Sequence, residues 1–430
     1  MQEHVIIIGN GIAGITAARH IRKHSNYSIT VISSETKYHY SRTALMYIYM
    51  GHMKHEHTQP YEADFWVNNN IQLLQAKVDS ILTHNHTIQL QDGTTLNYTH
   101  LVLATGSKSN KYGWPGQELT GVQGLYHIQD VHTMQTYTQG IQHAVVVGGG
   151  LIGIETVEML LSRNIKVTFL VREASFWNLV LPPNESILIN NLIHHHGVDL
   201  QLGTELKEII GDANGRVQAV VTSKGDTIAC GFVALTVGVS PNIAYVLNGT
   251  IATDRGILVN EYLTTNIPNV YAIGDCAQHT TPPPGRRPIE QVWYTGKLQG
   301  EAVARTITGT PTVYQPGHWF NSAKFFDLEY QTYGTVNAQL NAHEAWHWWQ
   351  NAKATKGLRL VWHKDTNQFI GLNSFGIRIR HQVCNDWLNA QATIQQVVHE
   401  LHKANFDPEF FQQYEKEFTQ HFNKHSGVVA

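Results

Sequence analysis

The chain is predicted to be an α/β protein built from two strand–turn–helix units, with an α+β C-terminal domain and a helical extension after them. Three observations carry this expectation. Val5-Ile6-Ile7-Ile8 runs into Gly9-Asn10-Gly11-Ile12-Ala13-Gly14. Ala144-Val145-Val146-Val147 runs into Gly148-Gly149-Gly150-Leu151-Ile152-Gly153. Past residue 315 the texture changes, with 319–375 aromatic and strand-like and 384–423 helical around a break at Pro408.

Each unit has a physical reading. The β-branched run makes a buried strand, and the G-x-G-x-x-G spacing opens a helix. Its first glycine allows a tight turn, its second lets backbone approach a diphosphate, and its third lets helix pack on strand. A diphosphate is favoured there because free N–H groups and the helix dipole meet the anion. Glu35, 21 residues past Gly14 and following the strand Ile29–Ile32, is placed to accept hydrogen bonds from a ribose. Residues 36–66 form a long connection, and 71–100 alternate apolar and polar residues around the hairpin signal Asp92-Gly93. Leu101–Ala104 is a buried strand closed by Thr105-Gly106. The second unit continues with a helix over 154–163 and a strand over 166–171, and its fingerprint stands 139 residues after the first. An ordered repeat of this kind is far more specific than either copy, and it predicts two Rossmann-like dinucleotide-binding domains. Residues 198–237 supply strands and hairpins, and Val270–Asp275 is a strand running into a glycine and an acid. The expected division is 1–110 and 245–315 for the first nucleotide domain, 111–244 for the second, and 316–430 for the C-terminal domain.

Composition narrows the function. A length of 430 residues allows several cores. The net charge of -3 provides no basic field for nucleic acid. No apolar run reaches the roughly 20 residues of a membrane span, and no signal peptide is expected. Cys230, Cys276 and Cys384 lie far apart, which suits a reducing cytoplasm rather than a disulfide framework.

In motif order over residues 1–375 the chain resembles the FAD/NAD(P)-linked pyridine nucleotide-disulfide oxidoreductases. Within them it is similar to the ferredoxin/rubredoxin reductase and apoptosis-inducing-factor branch. Gly9, Gly11, Gly14 and Glu35 match the FAD fingerprint and ribose acid. Arg42, in Tyr40-Ser41-Arg42, matches an arginine that lies along the FAD diphosphate, Val78 a position whose backbone meets adenine, and Ala104-Thr105-Gly106 the segment under the FAD. Gly148, Gly150, Gly153 and Glu155 match the nicotinamide-nucleotide motif, with Glu155 implied to face the nicotinamide. The segment ending Ala272-Ile273-Gly274-Asp275 is the most specific match, and its aspartate is implied to bond the ribityl chain. Glu290-Gln291-Val292-Trp293 resembles the segment whose helix faces the flavin, where Trp293 either stacks on the isoalloxazine or joins the core. In Trp319-Phe320-Asn321-Ser322, Asn321 stands where the family has tryptophan, and Tyr47 stands where this branch often has lysine.

Absent residues select the branch. Residues 36–66 contain no cysteine, so the thiolate relay of the disulfide reductases has no carrier. Cys276 is read as a packing residue. Near the end of the 166–171 strand, Arg172 suits the 2′-phosphate of NADPH and Glu173 the 2′-hydroxyl of NADH, with a slight lean to NADPH. His343-Glu344-Ala345-Trp346-His347 fits the zinc pattern H-E-x-x-H, which requires a helix. It is read as a chance match in a chain with 26 histidines, and no metal is expected. The resemblance implies an FAD-dependent NAD(P)H oxidoreductase passing hydride to the flavin and electrons to a small iron–sulfur protein or another acceptor. No side chain is expected to act as acid or base. A redox-gated binding protein of apoptosis-inducing-factor type and a quinone or nitrite-type reductase component are the alternatives, and a monomer or homodimer is open.

Overall fold

In the computed structural model the described residues are 3–247, 249–339, 341–406 and 413–428. Pro408, the expected helix break, lies outside them. The chain divides into two units. The first comprises Met1–Tyr112, Gln123–Gln139 and Val237–Pro316, and the second Gly113–Val122, Gly140–Thr236 and Gly317–Ala430.

The first unit is organised by a five-stranded parallel sheet. Its order is Val270–Ala272, His100–Leu103, His4–Ile8, Ser28–Ser33, Ile71–Gln75. The strands read as near-continuous Val, Ile and Leu because helices and loops cover both faces of such a sheet. Val5, Ile6, Ile7, Leu101, Val102 and Leu103 are all fully buried in one core. The helix Ile12–His24 follows the central strand and packs against the helix Trp293–Ile307. That contact is close because Gly300 lies where a Cβ would come within 2.6 Å of the Ala13 carbonyl oxygen. The expected hairpin around Asp92-Gly93 is present as Thr87–Leu90 paired with Thr95–Asn97, and it forms an antiparallel sheet with Val78–Leu82.

The second unit contains a parallel array Asp199–Leu202, Lys166–Val171, His143–Val147, Phe232–Leu235, the same design as the first. The helix Leu151–Leu161 starts three residues earlier than expected, directly after the glycines. A five-stranded antiparallel sheet follows, ordered Phe320–Phe325, Leu328–Gly334, Phe369–Phe375, Gly357–His363, Glu344–Gln350. The helices His381–Asn389, Ile394–His399 and Glu415–His425 share a core with it through Trp387, Ile394, Val397, Phe418 and Phe422. Across its other side, Arg359 forms a buried ion pair with Glu185 of the helix Pro183–His195, at 2.5 Å, with side chains 1% and 0% exposed. Among the described residues no helix is long and apolar enough to cross a membrane.

Candidate functional site

The first glycine turn sits at the carboxyl end of His4–Ile8. Gly9 has φ +114°, and its N–H donates to the Ile32 carbonyl at 2.8 Å. A Cβ on Gly9 would lie 2.0 Å from the Ala104 carbonyl oxygen, and one on Gly14 would lie 2.1 Å from the Gly9 carbonyl oxygen. Gly11 differs. It caps the helix Ile12–His24 with no side-chain hydrogen bond, its φ is -67°, and a Cβ there would meet nothing within 4 Å. A glycine cap with room at its Cα, before a helix start that no side chain caps, is the setting that a diphosphate fits. The turn is braced by residues that carry no motif signal. The Asn10 side chain donates to the Thr36 carbonyl at 2.7 Å, and His39 Nδ1 lies 2.8 Å from the Asn10 carbonyl. Burial pushes His39 down to about 4, so the ring is neutral at physiological pH.

Glu35 and Arg42, expected to serve different groups of one cofactor, are brought together here. Arg42 Nη2 stands 2.7 Å from Glu35 Oε2. Glu35 also accepts from the Ile128 N–H at 2.9 Å and the Tyr40 hydroxyl, with His127 Nδ1 at 3.1 Å. Burial raises this carboxyl, but the nearby His127 imidazole and the Arg42 guanidinium outweigh it and hold it well below the usual range. Arg42 also donates to the Tyr126 carbonyl and lies over the Tyr126 ring, 4.5 Å from its centroid. Val78 is buried at the start of its strand, paired with Leu90.

A second cluster gathers the remaining expected residues of the first unit. Asp275 Oδ2 accepts from the Ser107 hydroxyl at 3.1 Å and the Tyr126 hydroxyl at 3.2 Å. Desolvation pushes the Asp275 carboxyl up, and these two donors oppose the shift. Gly274, φ +70°, donates to Gln299 Oε1 at 2.6 Å. Thr105 donates to the Asn242 carbonyl at 2.7 Å, and the Tyr126 hydroxyl accepts from the Ser107 N–H just past Gly106. Gln291 Nε2 donates to Ser107 Oγ at 2.8 Å. Glu290 is tied to Arg286 at 2.6 Å and accepts from Thr295 at 2.9 Å, so it fixes the start of the helix Trp293–Ile307. Trp293, first in that helix, is 40% exposed, so of the two readings the buried core is ruled out. Cys276 is fully buried with its thiol pushed up by desolvation, beside the Leu103 and Ile273 carbonyls. It packs and presents no thiolate. Ser107, Tyr126 and His39 escaped the sequence reading because each is fixed by partners remote in the chain.

The second turn repeats the first closely. Gly148 has φ +112°, and its N–H donates to the Leu170 carbonyl at 3.0 Å. A Cβ on Gly153 would stand 2.2 Å from the Gly148 carbonyl oxygen, and one on Gly150 would meet nothing within 4 Å. Gly150 caps its helix without a side-chain bond. Thr236, another residue without a motif, donates to the Val147 carbonyl at 2.8 Å beneath this turn. One turn into the helix, Glu155 is pushed up to about 7 by desolvation, with Glu158 adding to the shift and Lys324 opposing it. Lys324 is itself paired with Glu158 at 2.8 Å. Past Val171, the exposed Arg172 reaches Glu173 at 2.8 Å.

The H-E-x-x-H segment is a strand, Glu344–Gln350. Four residues along a strand span about 13 Å, so His343 and His347 cannot share a zinc ion as helical neighbours do. Glu344 is buried and accepts from Asn337 and Asn341, and His347 Nε2 lies 2.9 Å from His421 Nδ1.

Known proteins resemble this chain in sequence and in fold. The family profile described as pyridine nucleotide-disulphide oxidoreductase matches residues 3–300. Rhodocoxin reductase of Rhodococcus erythropolis is 31% identical over 75% of this chain and 76% of its own. A nitrite reductase [NAD(P)H] of Bacillus subtilis is 30% identical over 65% of this chain, which spans only 35% of that enzyme. The ferredoxin reductase for the CYP199A2 system of Rhodopseudomonas palustris superposes with a TM-score of 0.79. It covers 87% of this chain and 91% of that one at 24% identity, a likeness of fold.

Proposed function

The chain belongs to the pyridine nucleotide-disulphide oxidoreductase family, and on that premise we propose how its residues divide the work. It is an FAD-dependent NAD(P)H oxidoreductase of the kind that passes electrons onward without a redox disulfide. Bound FAD supplies a ring that accepts hydride from the nicotinamide and releases electrons to an acceptor. The observation that carries this reading is the duplicated turn, with φ +114° at Gly9 and +112° at Gly148, each below an open, uncapped helix end.

In this reading Gly9, Gly11 and Gly14 shape the FAD diphosphate seat, and Arg42 trades part of its pairing with Glu35 for phosphate oxygens. Glu35, held ionised, accepts from the ribose. Val78 lies by the adenine and Ala104-Thr105-Gly106 under the flavin. Asp275, oriented by Ser107 and Tyr126, accepts from the ribityl chain. Glu290 and Gln291 set the helix end and the exposed Trp293 flanks the ring. Gly148, Gly150 and Gly153 seat the nicotinamide nucleotide, Glu155 orients its reactive end, and Arg172 and Glu173 select its ribose. We assign 1–110 and 245–315 to FAD together with 123–139 and 237–244, which the sequence reading gave to the second domain but which fold with the first unit, the rest of 111–244 to NAD(P)H, and 316–430 to the C-terminal domain. The acceptor we favour is a small iron–sulfur protein, reached in a reducing cytoplasm where the buried Cys230, Cys276 and Cys384 remain thiols.

Anaerobic mixing with NADH or NADPH tests the function. Rapid bleaching of the visible flavin band, reversed on adding an oxidised iron–sulfur carrier, is expected. A flavin left unreduced by both nucleotides would refute the reading.

A further inference from the structure

The antiparallel pairing of Glu344–Gln350 with Gly357–His363 sets Glu344 opposite His363. His343, one residue before the first strand, therefore stands at the same sheet end as His363, and the Lys364 N–H bonds the His343 carbonyl at 2.9 Å. Beyond His363 the chain turns back, with the His363 N–H bonded to the Gln368 carbonyl at 2.8 Å, and this hairpin carries Asp365. The imidazoles of His343 and His363 are parallel, 3° between planes and 6.0 Å between centroids. One ligand atom from each of His343, His363 and Asp365 lies within 4.8 Å of the others. The neighbouring cation does not compete, because Lys364 Nζ donates to the Ala342 carbonyl at 2.9 Å.

We propose that His343, His363 and Asp365 form a surface site for a divalent transition-metal ion, with zinc the first choice. Two imidazoles and one carboxylate suit zinc, nickel or copper, whereas magnesium and calcium require oxygen donors. Donor atoms around tetrahedral zinc stand about 3.4 Å apart at metal–nitrogen distances near 2.0 Å. His343 and Asp365 are exposed, so a change of rotamer closes the remaining gap without moving the strands. Water completes the fourth position. The site shares only His343 with the H-E-x-x-H pattern, and its other two ligands come from the next strand and its hairpin. The ion fastens the segment before one strand to the hairpin after its neighbour, and so it stabilises this end of the sheet by mass action.

The test uses full-length, FAD-loaded protein stripped with a chelator and dialysed against limiting zinc chloride. Elemental analysis is expected to find one more zinc per chain in the wild type than in His343→Ala, His363→Ala or Asp365→Asn. Zinc is expected to raise the melting temperature of the wild type more than that of these variants. A tenfold excess of magnesium leaves the ion in place. Equal zinc content in wild type and all three variants, or release of the ion by magnesium, would overturn the assignment.

Discussion

Glu155 carries a titration that stability measurements can read. Its carboxyl is pushed up to about 7 in the fold by desolvation, against an ordinary value near 4.5. The folded state therefore holds a proton that the unfolded state has released, and the side chain's contribution to stability is present below about pH 4.5 and lost as pH rises through about 7. Glu155→Gln keeps the shape without the charge. Its melting temperature relative to wild type is expected to climb between pH 5 and pH 8, and a difference independent of pH would contradict the burial argument. Arg172 makes a separate prediction. It pairs with Glu173 at 2.8 Å and is 68% exposed, at the position expected to meet a 2′-phosphate. Arg172→Ala is expected to lower kcat/KM for NADPH relative to NADH about tenfold, the worth of one charge-assisted hydrogen bond at about 1.5 kcal/mol. The glycines were legible in the sequence because a positive φ or a backbone approach is a local demand that few residues meet. The Glu35–Arg42–Tyr126 grouping was not, because its members meet only when residues 35, 42 and 126–128 fold onto one another.

At the scale of elements, hydrophobic period identified the parallel strands, and Lys166–Val171 begins and ends where the sequence places it. Helix starts were less legible, as the helix expected over 154–163 spans Leu151–Leu161. The glycine turn itself releases the chain into helix, a cue that period alone does not contain. His343 to His347 shows the limit of a pattern read without its element. Trp346, Trp348 and Trp349 favour a strand, where alternate residues face opposite sides. Arg359, in the adjacent strand, lies over the Trp346 ring at 4.3 Å while it pairs with Glu185. Removing one member of such a pair strands a buried charge. Arg359→Ala is expected to cost about 3–5 kcal/mol in denaturant unfolding, and joint replacement by Glu185→Leu and Arg359→Met much less. A loss below about 1 kcal/mol for the single variant would show that water reaches the pair.

At the scale of the whole molecule, the chain uses one device twice. Each copy has a buried parallel strand, a glycine at positive φ, a glycine cap with room at its Cα, and a third glycine against the first one's carbonyl. The duplication was legible because its signal is short and local. The C-terminal sheet was legible only as texture, since its register depends on pairings between distant strands. The central claim, that each turn holds its own nucleotide diphosphate, is tested by Gly11→Ala and Gly150→Ala. Both positions have ordinary φ, -67° and -112°, and open space for a methyl, so both variants are expected to fold. The measurement is FAD content and the dissociation constant for NADP+ in each purified variant. The account predicts that Gly11→Ala weakens FAD binding about tenfold or more while Gly150→Ala keeps its FAD and weakens the nicotinamide nucleotide by a similar factor, about 1.4 kcal/mol each. Folded variants that both bind FAD and NADP+ as the wild type does would contradict it.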